Sequence, residues 1–100
     1  MSGQYMAAYA IVDLEVFDIE LYLRYSQAVR PLLEAAGARY LARGGEFRVL
    51  EGDYQPKRLI LVEFPSLAGM ESFYASASYQ ALEAQRRACS SANILGVKGL

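Results

Sequence analysis

Between Ala7 and Val16 the chain alternates, with Tyr9, Ile11, Asp13 and Glu15 on one side and Ala8, Ala10, Val12 and Leu14 on the other. A period of two is that of a strand with two unlike faces. The period then changes. Asp18 offers a side-chain oxygen as a helix cap, Glu20 puts an acid in the first turn, and Leu21, Tyr25, Val29, Leu32 and Ala36 recur at helical spacing. Pro31 falls inside this stripe and predicts a kink, or a split at Arg30, because its ring removes one backbone hydrogen bond and crowds the preceding turn. Gly37 suits a left-handed stop.

Ala38 to Glu51 reads as extended, interrupted by Gly44-Gly45, where the strand is expected to bend at a bulge. Gly52-Asp53-Tyr54-Gln55-Pro56 has turn composition and leads into Arg58 to Phe64, the pattern of a buried strand. Pro65 ends that strand and Ser66 caps a second helix carrying Leu67, Met70, Phe73 and Tyr74. Ser76-Ala77-Ser78 weakens the helical pattern, which resumes from Tyr79 to Ala88 with Leu82 and Arg86. Ile94, Leu95 and Val97 form a short last strand.

Strand, helix, strand, strand, helix, strand is the ferredoxin-like βαββαβ order: an α+β fold in which a four-stranded antiparallel sheet carries both helices on one face. The other face would show Tyr9, Ile11, Leu41, Leu59 and Leu61 to water. That is more contiguous apolar surface than a soluble monomer usually exposes, so a homodimer is expected.

Composition narrows the chemistry. One hundred residues make a single domain, taken as 6–100, with the short polar start at 1–5 read as an N-terminal extension. Ten Lys and Arg against eleven Asp and Glu, dispersed along the chain, give no electrostatic footprint for nucleic acid. The absence of His and the single Cys89 exclude a Ser-His-Asp triad, a Cys-His pair, an internal disulfide and a metal site built on His or Cys. No cofactor is expected. The longest apolar run, Met6 to Val12, is too short to span a bilayer, and no signal-peptide pattern precedes it, so a cytoplasmic protein without membrane contact is expected.

Tyr9-Ala10-Ile11-Val12-Asp13, Tyr40-Leu41-Ala42-Arg43-Gly44-Gly45, Leu50-Glu51-Gly52-Asp53, Val62-Glu63-Phe64-Pro65-Ser66, Phe73-Tyr74 and Ser78-Tyr79-Gln80 follow one another in the order seen in a known family. Over Met6 to Gly99 the chain resembles the bacterial domain-of-unknown-function family numbered 1330. The resemblance implies a protomer of the dimeric α/β-barrel superfamily, with two sheets face to face and small pockets between sheet and helices. It implies no activity. Relatives in that superfamily include cofactor-independent oxygenases, lactone isomerases and haem enzymes, and the proximal His of the last has no counterpart here.

Strand period brings Asp13, Arg43 and Glu63 to one sheet face. Arg43 could clamp a carboxylate ligand, while two acids in one dry pocket would separate their pKa values into a proton donor and an acceptor. Asp13 and Glu63 are therefore the candidate catalytic pair of a cofactor-independent isomerase or oxygenase-like enzyme. Arg43, Tyr9, Tyr74 and Tyr79 are the candidate binding residues for a small carboxylate or phenolic metabolite. The same trio reads first as a structural ion network in a non-catalytic dimeric module. Tyr74 and Tyr79 read first as core, and Cys89 as packing. Arg86-Arg87 could receive an anion, but reads more simply as a solvated helix end. Gly44-Gly45 reads as a bend, and Glu51-Gly52-Asp53 as a turn in preference to a metal site.

Overall fold

The computed structural model describes residues 6–100; the N-terminal extension expected at 1–5 lies outside them. Four strands, β1 (Ala8–Val16), β2 (Arg39–Arg43), β3 (Leu59–Phe64) and β4 (Ser90–Lys98), form one antiparallel sheet in the order β2-β3-β1-β4. The helices α1 (Ile19–Ala35), α2 (Leu67–Ala75) and α3 (Ala77–Cys89) cross between them. This is the ferredoxin-like α+β arrangement.

The alternation in β1 divides the faces. Ala8, Ala10, Val12 and Leu14 join Ile60, Val62 and Phe64 of β3 in a core closed by Tyr25, Val29 and Leu33 of α1 and by Met70, Phe73 and Tyr79. On the other face the register aligns Leu95, Ile11 and Leu61 in one row and Val97, Tyr9, Glu63 and Arg39 in the next. Leu41, Leu95 and Val97 are exposed.

Local chemistry sets the ends of the elements. Asp18 accepts from Leu21 N at 3.2 Å, Ser66 from Gly69 N at 2.9 Å and Ser76 from Tyr79 N at 3.1 Å, so each cap satisfies an otherwise orphaned donor. α1 ends in a Schellman motif: Gly37 N donates to Glu34 O at 3.0 Å and Ala38 N to Leu33 O at 2.9 Å. Gly37 adopts φ 74°, and a Cβ there would also press on the Pro65 ring, so both its left-handed conformation and its lack of side chain are used.

Four expectations change. α1 is not split at Arg30 but runs through Pro31 as one helix; Pro31 and Gln27, whose carbonyl loses its donor, both lie on the exposed side, where water can replace the missing bond. β2 stops at Arg43, and the irregularity falls between Tyr40 and Ala42 rather than at Gly44-Gly45. Residues 44–58 form a long irregular connection, tied at its start by Gly44 N donating to Leu59 O at 2.8 Å. The second helical region is two helices, because Ser76 is extended at ψ 148° and caps α3 afresh. β4 is nine residues long, since it pairs with the whole of β1 from Val16↔Ser90 to Ala8↔Lys98.

Candidate functional site

The predicted trio does not converge. The irregularity at Leu41 inserts one extra residue into β2, so Tyr40 faces Val62, Ala42 faces Leu61 and Arg43 faces Ile60. A one-residue slip sends every later side chain to the opposite face. Arg43 accordingly lies on the helix side, with its guanidinium carbon 4.7 Å from the centre of the Tyr40 ring. Asp13 and Glu63 do share the open face, but at opposite ends. Glu63 is aligned with Tyr9 and Asp13 with Leu59, four residues further along β1, a separation of about 13 Å at the rise of a strand.

Each acid also has its own partner. Glu63 receives Arg39 Nε at 2.7 Å. Asp13 accepts from the Tyr54 hydroxyl and from Lys57 N at 3.0 Å, and so pins the connection 44–58 to the sheet. These bonds, the Tyr54 hydroxyl foremost, hold the Asp13 carboxyl below its ordinary value of 3.8. A lowered folded-state pKa gives a tie present above pH 3.8 and lost as pH falls through the folded value. An NMR titration of Asp13 is expected to show a midpoint below 3.8, and Asp13→Asn to speed trypsin cleavage after Lys57 and Arg58 at neutral pH. A midpoint at or above the ordinary value, with unchanged cleavage, would mean that Asp13 does not hold this segment.

Chemistry gathers on the other side of the sheet. A cavity of about 50 Å³ lies between β1, β2 and β3 and the helices α1 and α3. Tyr22, Tyr25, Tyr40, Tyr74 and Tyr79 line it, together with Arg86. That volume holds about three or four waters. Tyr25 donates its hydroxyl to that of Tyr79 at 3.3 Å. Tyr79 is 1% exposed and packs its ring against Phe73 and Tyr74, with centroids 5.1 and 5.0 Å away. Burial pushes the Tyr22, Tyr25 and Tyr74 hydroxyls above the ordinary phenol value, so these groups remain protonated donors.

Arg86 corrects the expectation of a solvated helix end. It is 6% exposed, and its buried Nε has no hydrogen-bond partner. Among the described residues it makes no salt bridge, and no carboxylate lines the cavity. Neighbouring Arg87 is the solvated one, 3.4 Å from Glu83. The position of Arg86 in the helical period carries the missed signal. It lies four residues after Leu82 and three before Cys89, on the stripe that begins at Tyr79. Tyr22, three residues before Tyr25, was legible in the same way.

Of the other predicted binding residues, Tyr74 and Tyr79 reach the cavity, whereas Tyr9 lies on the open face beside Glu63 and Val97. Cys89 is fully buried, its thiol 3.4 Å from Arg86 O. Among the described residues no group of three or more His, Cys, Asp or Glu side chains could hold a metal, and no helix is long and apolar enough to cross a membrane.

Fold and cavity together define a ferredoxin-like α+β domain with a tyrosine-lined, singly cationic pocket between sheet and helices. The chain belongs to the family described as Domain of unknown function (DUF1330), whose model matches residues 7–100. Among solved structures it is similar to RPA0582, a protein of unknown function from Rhodopseudomonas palustris, at 18% identity and TM-score 0.77, covering 95% of this chain and 83% of that one. NE2512, a protein of unknown function from Nitrosomonas europaea, matches at 18% identity and TM-score 0.54, with 96% and 89% covered. A Nitrosomonas europaea protein provisionally named an antibiotic biosynthesis monooxygenase matches at 18% identity and TM-score 0.54, with 100% and 95% covered. At such identities the likeness is one of fold. No curated protein matches the chain in sequence.

Proposed function

We propose that this protein binds a small organic carboxylate or phenolate, with Arg86 as the charge partner and the cavity tyrosines as hydrogen-bond donors. The observation that carries this reading is a buried guanidinium, its Nε unpartnered, at a cavity without an acid. A buried charge without a counter-ion costs several kcal/mol, a cost that an anionic ligand would offset. Arginine meets a carboxylate in a planar two-pronged pair, and neutral phenols donate to the same anion. The acid/base roles expected for Asp13 and Glu63 find no support, because the two are far apart and neither lines the cavity. The reading is therefore of a binding protein, without a proton-transfer step assigned to its own carboxylates.

The test is an NMR titration with benzoate and with phenol at alkaline and neutral pH. Benzoate is expected to shift the Tyr25, Tyr74 and Tyr79 resonances in the native protein and to leave them unmoved in Arg86→Met. Shifts that survive the substitution would overturn the role of Arg86, and the absence of any binding would overturn the reading.

We also propose that a second copy of the chain covers the open sheet face. Leu95, Ile11 and Leu61 form an apolar row across three strands, and Leu41 and Val97 lie exposed beside it. Light scattering is expected to give twice 11.1 kDa for the native chain, and the single mass for Ile11→Glu, which puts a charge at the centre of that row. A native monomer at micromolar concentration would overturn this proposal.

A further inference from the structure

The cavity beside Arg86 is too small to hold the body of an organic acid, yet Arg86 borders a second space. An open groove of about 550 Å³ runs between α2, α3 and β4. Three residues, Tyr74, Arg86 and Ile94, line both spaces and so form the wall between them. The guanidinium thus belongs to a partition with a small, mainly apolar chamber bearing phenol hydroxyls on one side and a space of ligand size on the other.

The groove has a distinct chemistry. Its walls are largely apolar, with Met70, Ala75, Ala92 and Leu95 beside the shared Tyr74 and Ile94. Met70 is an adaptable wall: the end of its thioether side chain occupies the space beside Gly96 that a Cβ there would enter. The groove's charged residues are Glu71, Glu83, Arg86 and Arg87. Glu83 and Arg87 face one another at 3.4 Å. What remains is a cation in the inner wall and an acid, Glu71, on exposed surface.

From this arrangement we infer that the groove is the body-binding half of the Arg86 site and selects monocarboxylates that carry an apolar ring or chain. The carboxylate meets Arg86 at the partition, the apolar body lies along Met70, Tyr74 and Ile94, and the small cavity supplies phenol hydroxyls or water behind the anion. Glu71 disfavours a second negative group at the far end of the ligand, since like charges near a low-dielectric wall repel. The inference rests on the proposed role of Arg86 and adds the size and charge of what Arg86 holds.

Benzoate, 4-phenylbutanoate and octanedioate, titrated against the native protein, Ala75→Trp and Glu71→Gln, separate the two readings. Ala75 is exposed at the end of α2, so an indole there fills the groove without entering the core. In the native protein 4-phenylbutanoate is expected to bind at least about tenfold more tightly than benzoate, from the methylenes it buries. Ala75→Trp should weaken 4-phenylbutanoate far more than benzoate, whose single ring occupies less of the groove, and so abolish that gain; circular dichroism shows the variant to be folded. Octanedioate should bind more weakly than 4-phenylbutanoate in the native protein, and Glu71→Gln should narrow the gap. Equal affinity for benzoate and 4-phenylbutanoate, or a gain that survives Ala75→Trp, would overturn the groove assignment and leave the Arg86 site standing. Octanedioate binding as tightly as 4-phenylbutanoate would overturn the selection for a monoanion. Binding of none of the three would overturn both the Arg86 site and the groove.

Discussion

Replacing Phe64 with Ala is expected to lower the free energy of unfolding by about 3–5 kcal/mol, the cost of deleting a buried aromatic ring whose surroundings cannot fully collapse. Phe64 is the last residue of β3 and fully buried, with its ring centre 5.4 Å from that of Phe73 and 6.0 Å from that of Tyr74. It joins the end of the sheet to α2, and Phe73 and Tyr74 in turn carry Tyr79. One deletion therefore loosens several aromatic contacts at once, each pair contributing about 0.5–1.5 kcal/mol beyond the area it buries. A domain of this size has only about 5–15 kcal/mol in total. Urea unfolding of the purified variant checks the figure. A loss below about 1 kcal/mol, far under what buried Phe→Ala changes cost, would mean that this cluster is not the centre of the core.

Arg86→Met is expected to act in the opposite direction on stability. The substitution keeps an unbranched apolar stem of similar reach and removes a buried charge that has no ion-pair partner among the described residues. Exchanging buried ionic groups for apolar ones of similar volume is neutral or stabilising by about 1–4 kcal/mol. The Arg86 carbonyl, which accepts from Ser90 Oγ at 2.7 Å, is unaffected because it belongs to the backbone. Ligand-free Arg86→Met should thus unfold at an equal or higher urea concentration than the native chain, while benzoate ceases to stabilise it. A structural arginine gives the reverse pattern: the variant loses stability whether or not benzoate is present. The sign of one unfolding shift therefore separates a residue kept for a ligand from one kept for the fold.

The asymmetry between the sheet faces explains why these two predictions concern the helix side. The buried core, its aromatic cluster and the cavity lie between sheet and helices. On the open face the ionised groups make local, exposed contacts such as Arg39 with Glu63, which contribute little to stability in water. Asp13 acts there as an anchor for the connection 44–58, which carries Leu50 at 93% exposure and Tyr54 at 63%.

The sequence by itself determined the order of the strands, the two faces of β1 and β3, the caps at Asp18 and Ser66, and the stop at Gly37. All of these depend on periods and on hydrogen bonds within a few residues, which a linear chain carries locally. It also carried Tyr74 and Tyr79 as candidate binding residues. Only the tertiary structure decided which charged residues meet. Arg43 left the predicted face because of one extra residue at Leu41, and a strand's period of two turns a single insertion into a change of side. Asp13 and Glu63 kept their face but parted, because antiparallel register determines position along the strand as well as side. Arg86 came to line the cavity with Tyr22, Tyr25 and Tyr40 because α3 packs against α1 over the sheet, far from those residues in sequence. Burial is a property of what packs over a residue, and no stretch of chain contains its own cover.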